Sequence, residues 1–295
     1  MDTPDPRQAR RGIAYMLAAI LVFTAMDAVA KHLTMHYPAM QTVWARYFIP
    51  ATGIVLWLAL RRGFGAALRT RRPGLQALRS VLQLATTLIY FAALARMGLV
   101  EAAAIAETSP VLITLFAALF LGERIGPRRI AGIAVALAGA MIVIRPGTEV
   151  FSPWAFLPLA AAATYAGYAV ATRSLGPEES LAGSLLWTSG LGMVVTTAML
   201  PWIWQPVAPG DAWAFGLIGV LGGVAQIFFV RAFTLAEASA IAPFGYVGLV
   251  FAAFWGFVAF GEVPDIWTIL GALVIAAAGI YVWHRETRGT GTKPP

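Results

Sequence analysis

The residues of this chain that could do chemistry are charged and hydrogen-bonding side chains set inside long apolar runs. Asp27, Lys31, Arg46 and Glu107 stand among Ala, Leu, Val, Ile and Phe, where a charge is costly unless it is paired or wetted. Arg79, Gln83, Thr86 or Thr87, and Tyr90 recur at helical spacing and share one face. A shorter stripe, Thr164 or Tyr165 with Tyr168 and Thr172, does the same. Measured from the nearest helix end, Asp27, Arg46, Tyr90 and Glu107 fall at one depth, roughly 7–11 Å from the surface. Two chemistries fit. Asp27 could pair with Lys31 one turn later and Arg46 with another helix, as structural ion pairs. Alternatively the four groups form a site for a zwitterion, with Arg46 or Lys31 facing a carboxylate and Asp27 or Glu107 facing an ammonium. Tyr165, Tyr168, Phe228, Phe244 and Tyr246 could offer π-faces to an apolar or aromatic side chain, or simply pack helices.

Other chemistries find no footing. The chain has no cysteine, which removes disulfides, thiolate metal sites and cysteine nucleophiles together. His32, His36 and His284 lie near the ends of apolar runs, and His32 with His36 lacks a third ligand, so no metal is expected. Gly216, Gly219, Gly222 and Gly223 follow no strand and precede no Gly-Lys-Ser/Thr, so they form no phosphate loop; close helix contact is the better use for them. No catalytic residue, no enzyme and no cofactor are expected.

The elements that must position these residues follow from composition. Hydrophobic residues make up 59% of the chain, charged residues 12%, and the mean hydropathy is +0.75, more than one soluble core of this size needs. The protein is read as integral to a membrane. Its apolar runs are about 20 residues long without alternation, so they are helices rather than barrel strands. Ten spans are predicted, near 12–33, 40–60, 75–97, 100–121, 128–145, 153–174, 180–201, 212–234, 238–260 and 265–284. The net charge of +7 is an orientation signal rather than a nucleic-acid patch. Nearly all Lys and Arg gather at the ends shared with the N-terminus, and only Lys31, Arg96 and Arg145 fall on the far side. Both termini are therefore expected in the cytoplasm. Arg10-Arg11, an apolar run and Ala28-Val29-Ala30 imitate a cleaved leader, but Asp27 inside that run argues for a mature first helix.

The chain is also written twice. Glu237–Ala242 echoes Glu101–Ala106, Gly261-Glu262 echoes Gly122-Glu123, and Tyr168-Ala-Val-Ala repeats Asp27-Ala-Val-Ala. Residues 12–145 and 146–284 are the two halves, with cytoplasmic tails at 1–11 and 285–295. Five spans is an odd number, so the second half enters the membrane inverted, a construction common in transporters. Under this repeat Asp27 answers to Tyr168, Tyr90 to Gln226 and Glu107 to Pro243. Pro110 and Pro243 interrupt spans 4 and 9, removing the amides that would bond Ala106 and Ser239, which suits a hinge or a fixed bend. Glu101, Glu123, Glu237 and Glu262 at span ends read as caps and interfacial pairs.

Ten spans in a five-plus-five repeat, Pro110 ahead of an apolar run to Gly122-Glu123, the Gly261-Glu262 echo, and the run from Asp27 and Lys31 to Trp44-Ala-Arg46 resemble the drug/metabolite transporter superfamily, specifically its EamA family. The resemblance covers essentially the whole chain. It implies a central cavity between the halves and alternating access, in a bacterial cytoplasmic membrane. The expectation is an all-α carrier of a small metabolite, an amino acid with an apolar or aromatic side chain, moved outward. A multidrug or vitamin carrier of the same fold and an uptake permease stay open. The expected substrate-binding set is Gln83, Tyr90, Glu107, Tyr165, Tyr168, Gln226, Phe244 and Tyr246. Asp27, Lys31 and Arg46 are the charge or gating residues, and Pro110 and Pro243 the hinges. A proton as coupling ion would need a titrating acid in the path, Asp27 or Glu107.

Overall fold

The computed structural model describes residues 6–61, 64–122, 126–148, 151–175, 180–235 and 242–289. Glu123, Glu237 and Ser239, named above, lie outside them. The α-helices are α1 (Pro6–Thr34), α2 (Ala39–Leu60), α3 (Phe64–Leu68), α4 (Pro73–Leu94), α5 (Leu99–Ala106) and α6 (Ser109–Leu121). They continue as α7 (Pro127–Ile144), α8 (Phe156–Leu175), α9 (Leu181–Ile203), α10 (Ala212–Leu235), α11 (Val247–Phe260) and α12 (Ile266–Gly289). Short 3-10 turns at Pro153–Ala155, Pro209–Asp211 and Ala242–Tyr246 lead into α8, α10 and α11. Seven segments among the described residues are long and apolar enough to cross a bilayer, and three shorter apolar helices, Ile130–Ile144, Phe244–Phe260 and Ile266–Val282, bring the apolar segments to ten. The fold is an all-α integral membrane bundle of two inverted repeats.

Local chemistry sets the helix ends. Pro73 and Pro127 open α4 and α7 at the first turn, where no amide partner is lost. Gly122 and Gly261 close α6 and α11 in the left-handed region, at φ 70° and 66°, a conformation that costs glycine little. That shared cap explains the glycine at both places. The edges differ from expectation at three points. Helix α1 begins at Pro6 and α12 runs to Gly289, because turns rich in Arg are compatible with helix beyond the apolar run. The link before α4 holds the extra short helix α3. Span 4 is two helices, α5 and α6, separated at Glu107 and Thr108.

Packing reveals the duplication. Helix α1 pairs most extensively with α10, and α4 with α8; α2 pairs with α9, α7 with α12, α6 with α8 and α11 with α1. Exchanging the first half for the second turns every one of these pairings into another of them or into itself. The α7/α12 seam gives the direction. A Cβ on Gly132 would lie 2.4 Å from Val282, and a Cβ on Gly271 would lie 2.4 Å from Val143. Early residues of one helix thus meet late residues of the other, so the fifth span of each half runs antiparallel to its counterpart. Glycines let these two backbones approach closely. On α10, Gly219, Gly222 and Gly223 face Ile49, Arg46 and Pro50 of α2, whereas Gly216 has open space.

The outside of the bundle is apolar: Leu119, Phe120, Val194, Phe254 and Phe257 are exposed, as hydrocarbon-facing residues must be. Trp154, Trp202, Trp204, Trp213 and Trp267 are also exposed and gather at helix ends on the far face, the usual level of an interfacial aromatic belt.

At the far end of the α7/α12 seam, Asp265 accepts the Thr268 amide at 2.8 Å and an Arg145 N–H at 2.7 Å. Partial burial works against its charge, but the amide and the guanidinium outweigh this and hold the carboxyl below the usual range.

Gly279→Ala would place a Cβ 1.6 Å from the Tyr246 hydroxyl. It should lower stability by about 1–3 kcal/mol in thermal unfolding of the detergent-purified protein, while Gly216→Ala should leave the midpoint unchanged or slightly raised. Because the Asp265 carboxyl is lowered in the folded state, its contribution is full above the ordinary carboxylate pKa and is lost as pH falls through the lowered value. Asp265→Asn should therefore destabilise at pH 7, and the gap to wild type should close below about pH 4.

Candidate functional site

The site is organised by α4. Gln76, Arg79, Ser80, Gln83, Leu84, Thr87 and Phe91 recur every three or four residues and are all buried, so one stripe of this helix faces protein along its whole length. Near the far face, Arg46 of α2 donates to Thr87 Oγ1, with its guanidinium 5.3 Å from the Tyr47 ring and 5.8 Å from the Phe91 ring. Tyr47 OH lies 3.0 Å from Thr87 Oγ1 and donates toward Gln83 O at 3.3 Å. Glycine makes room on both sides. A Cβ on Gly192 would meet the Tyr47 ring at 2.7 Å, and one on Gly222 would stand 3.3 Å from Arg46.

Toward the N-terminal face the partner is α8. Arg79 donates to Thr172 Oγ1 at 2.9 Å, Gln76 Oε1 at 3.1 Å and Tyr168 OH at 3.3 Å, and lies 5.2 Å from the Tyr168 ring centre. Thr86 donates to Thr164 at 2.9 Å. Thr164, Tyr168 and Thr172 of the α8 stripe thus form hydrogen bonds on the face where α8 meets α4, since hydroxyls away from bulk water need partners.

The acids sit across from this stripe. Glu107 occupies the C-cap of α5, where the chain turns before Ser109-Pro110 restarts the helix. Its carboxylate lies 3.3 Å and 4.0 Å from where Cβ atoms on Gly248 and Gly245 would be, so it rests on the glycine-floored start of α11. Spans 4 and 9 are both discontinuous here, α6 starting beside Pro110 and α11 following the 3-10 turn that contains Pro243. Broken helices of this kind expose backbone groups where a carrier binds its cargo. Tyr90 is within electrostatic reach of both Asp27 and Glu107, Tyr165 of Glu107 and Tyr168, and Asp27 of Arg46. Asp27, Arg46, Tyr90, Glu107, Tyr165 and Gln226 keep part of their surface accessible although they lie inside the bundle.

Three residues are placed elsewhere. Lys31 does not pair with Asp27: it donates to Glu262 and, at 2.9 Å, to Met97 O, because α1 carries it to the far face beside the α11 cap. Phe244 packs against the Met16, Ile20 and Ala232 cluster. Tyr246 is near Glu107, but its hydroxyl rests on Gly279 and has no hydrogen-bond partner, so only the glycine of α12 accommodates it.

The Lys31 contact belongs to a latch. Glu262 Oε2 also accepts the Leu99 amide at 2.8 Å, capping α5, so one carboxylate joins α1, α5 and α11 across the two halves. Tyr47 and the pairing of Lys31 with Glu262 were not foreseen. Tyr47 adjoins Arg46 in sequence, and an aromatic beside an intramembrane Arg was the available signal. Glu262 was read as a cap or interfacial pair, or a gating salt bridge, without its partner, which lies 231 residues away.

Comparison with known proteins places the chain. The EamA-like transporter family matches residues 10–145 and 152–283. The chain is similar to a pseudopaline exporter of Pseudomonas aeruginosa, 32% identical over 92% of this chain and 95% of that one. It is similar to a riboflavin transporter of Rhizobium johnstonii, 30% identical over 96% of this chain and 94% of that one, and to an S-adenosylmethionine uptake transporter of Rickettsia felis, 24% identical over 96% and 95%. A solved crystal structure 23% identical in sequence superposes with a TM-score of 0.64 over 95% of this chain and 99% of that one, which supports the fold.

Removing one member of a buried pair strands the other charge. Glu262 is partly exposed, at 23% of its side chain, so Lys31→Ala and Glu262→Gln should each cost about 2–3 kcal/mol. In thermal unfolding the double variant should lose much less than the two single losses added; strict additivity would show that the groups do not act as a pair.

Proposed function

The chain belongs to the EamA-like transporter family, and from that premise we propose that it exports an amino-acid-type metabolite by alternating access between its two inverted halves. It is a multi-pass membrane protein. The reading extends this to a bacterial cytoplasmic membrane with both termini inside, in line with the distribution of Lys and Arg.

One observation carries the substrate class: Tyr90 is within reach of Asp27 and Glu107, and Asp27 of Arg46, so one guanidinium and two acids gather there with no ion pair binding them to each other among the described residues. A guanidinium free of carboxylate contact suits a substrate carboxylate. Two acids suit an ammonium, and the rings of Tyr90 and Tyr165 suit an apolar or aromatic side chain. Gln83 and Gln226 supply amides on the same two repeat-related helices, α4 and α10. The breaks beside Pro110 and Pro243 are the hinges of this reading, and the latch through Lys31 closes the far side while substrate is held from within. Outward movement draws support from the similarity to an exporter of P. aeruginosa. A vitamin-type cargo is the second reading, favoured by the similarity to a riboflavin transporter together with the tyrosine-rich lining.

Flux of radiolabelled leucine, phenylalanine and riboflavin in proteoliposomes, with and without a pH gradient, tests the proposal. Amino-acid counterflow that falls at least tenfold in Arg46→Gln is the expected result. If a proton is exchanged, Asp27→Asn or Glu107→Gln should abolish the response to the gradient; an unchanged response in both removes them as proton carriers. Riboflavin flux without amino-acid flux would replace the first reading by the second.

A further inference from the structure

Two guanidiniums sit inside this bundle with only neutral partners. Arg79 is 4% exposed, and its three hydrogen bonds go to two hydroxyls and an amide oxygen. Arg46 spends one N–H on Thr87. Among the described residues no carboxylate reaches ion-pair distance of either; Asp27 is felt by Arg46 only at longer range. Each instead lies over a tyrosine ring, Tyr168 for Arg79 and Tyr47 for Arg46. Such contacts hold a cation without neutralising it, so each guanidinium keeps a charge that is costly until an anion faces it.

Midway between them on α4 stands Gln83, 8% exposed, whose Oε1 has no hydrogen-bond partner. Arg79, Gln83 and Thr87, the anchor of Arg46, are successive turns of one helix face. They lie roughly 6 Å apart, so the two cation centres are anchored about 12 Å from each other along the axis. A buried amide oxygen left unmade costs what a lost hydrogen bond costs, and it asks for an N–H. The order along α4 is therefore cation, acceptor, cation.

We propose that this ladder is a recognition site for a substrate with two anionic groups flanking a nitrogen that carries hydrogen, one anion on Arg79, the other on Arg46, and the N–H on Gln83 Oε1. The proposal rests on the transport reading above and narrows its substrate class from simple zwitterions to amino acids extended by a second carboxylate. Arg79 and Gln83 become specificity-determining residues. Binding of the diacid displaces no acid of the protein, since none is paired there.

The test is ligand titration of the full-length, detergent-purified protein by intrinsic tryptophan fluorescence, with three probes. N-(3-carboxypropyl)leucine has both carboxylates and the amine, leucine has one carboxylate and the amine, and heptanedioate has two carboxylates and no nitrogen. The diacid amine should bind at least tenfold more tightly than either of the others. Arg79→Gln should erase its advantage over leucine, Arg79→Lys should restore part of it, and Gln83→Leu should erase its advantage over heptanedioate. Equal affinity for the diacid amine and leucine in the wild-type protein overturns the proposal, as does an equal loss for all three probes in Arg79→Gln, the mark of a structural role. Should Arg79→Gln fail to fold, Arg79→Lys and Gln83→Leu carry the same comparison. Leucine flux without diacid preference sinks this inference alone, whereas no flux of any probe sinks the transport reading with it.

Discussion

Hydrocarbon offers no water to a polar group, and that constraint shapes every part of this bundle. Backbone amides are satisfied inside helices, and several of the side chains that break the apolar rule find partners across the seam between the halves. Thr86 reaches Thr164, Arg79 reaches Tyr168 and Thr172, and Lys31 reaches Glu262. Each of these contacts joins a residue of the first half to one of the second. The halves are thus held together by polar groups that have nowhere else to go, while glycines at the α7/α12 and α2/α10 contacts let van der Waals packing do the rest.

The same constraint separates structure from function. Where partners are complete, as between Thr86 and Thr164, the polar group is packing. Where they are incomplete, as for Arg46, Asp27, Glu107 and Gln83, the bundle keeps a cost that packing alone would not retain. These groups collect around α4 and the breaks in spans 4 and 9. The latch at the far face lies apart from them, one carboxylate tying α1, α5 and α11.

Much of the fold was legible because its signals are local or repeated. Gly122 and Gly261 mark caps that only a left-handed residue makes easily, and their echo, with an odd number of spans in each half, carried the inverted repeat. Apolar length carried the spans. The site was legible in part: depth arithmetic brought Asp27, Arg46, Tyr90 and Glu107 together, since helices of similar length entering from known sides put equal offsets at equal depths. Azimuth was the missing coordinate. Nothing local tells which way Tyr246 turns ahead of α11 or that Lys31 faces Glu262 rather than Asp27, because those choices depend on neighbours far along the chain.

The account stands on a wetted polar seam between two inverted halves. The chain has no cysteine of its own, so single cysteines at Tyr90, at Tyr165 and at the lipid-facing Leu119 can be probed one at a time with a membrane-impermeant thiol reagent, added to sealed vesicles from either side. Labelling at the first two positions, with substrate changing the side from which they are reached, and none at Leu119 is the result predicted. No labelling at positions 90 and 165 from either side, or labelling at Leu119 to the same extent, would contradict it.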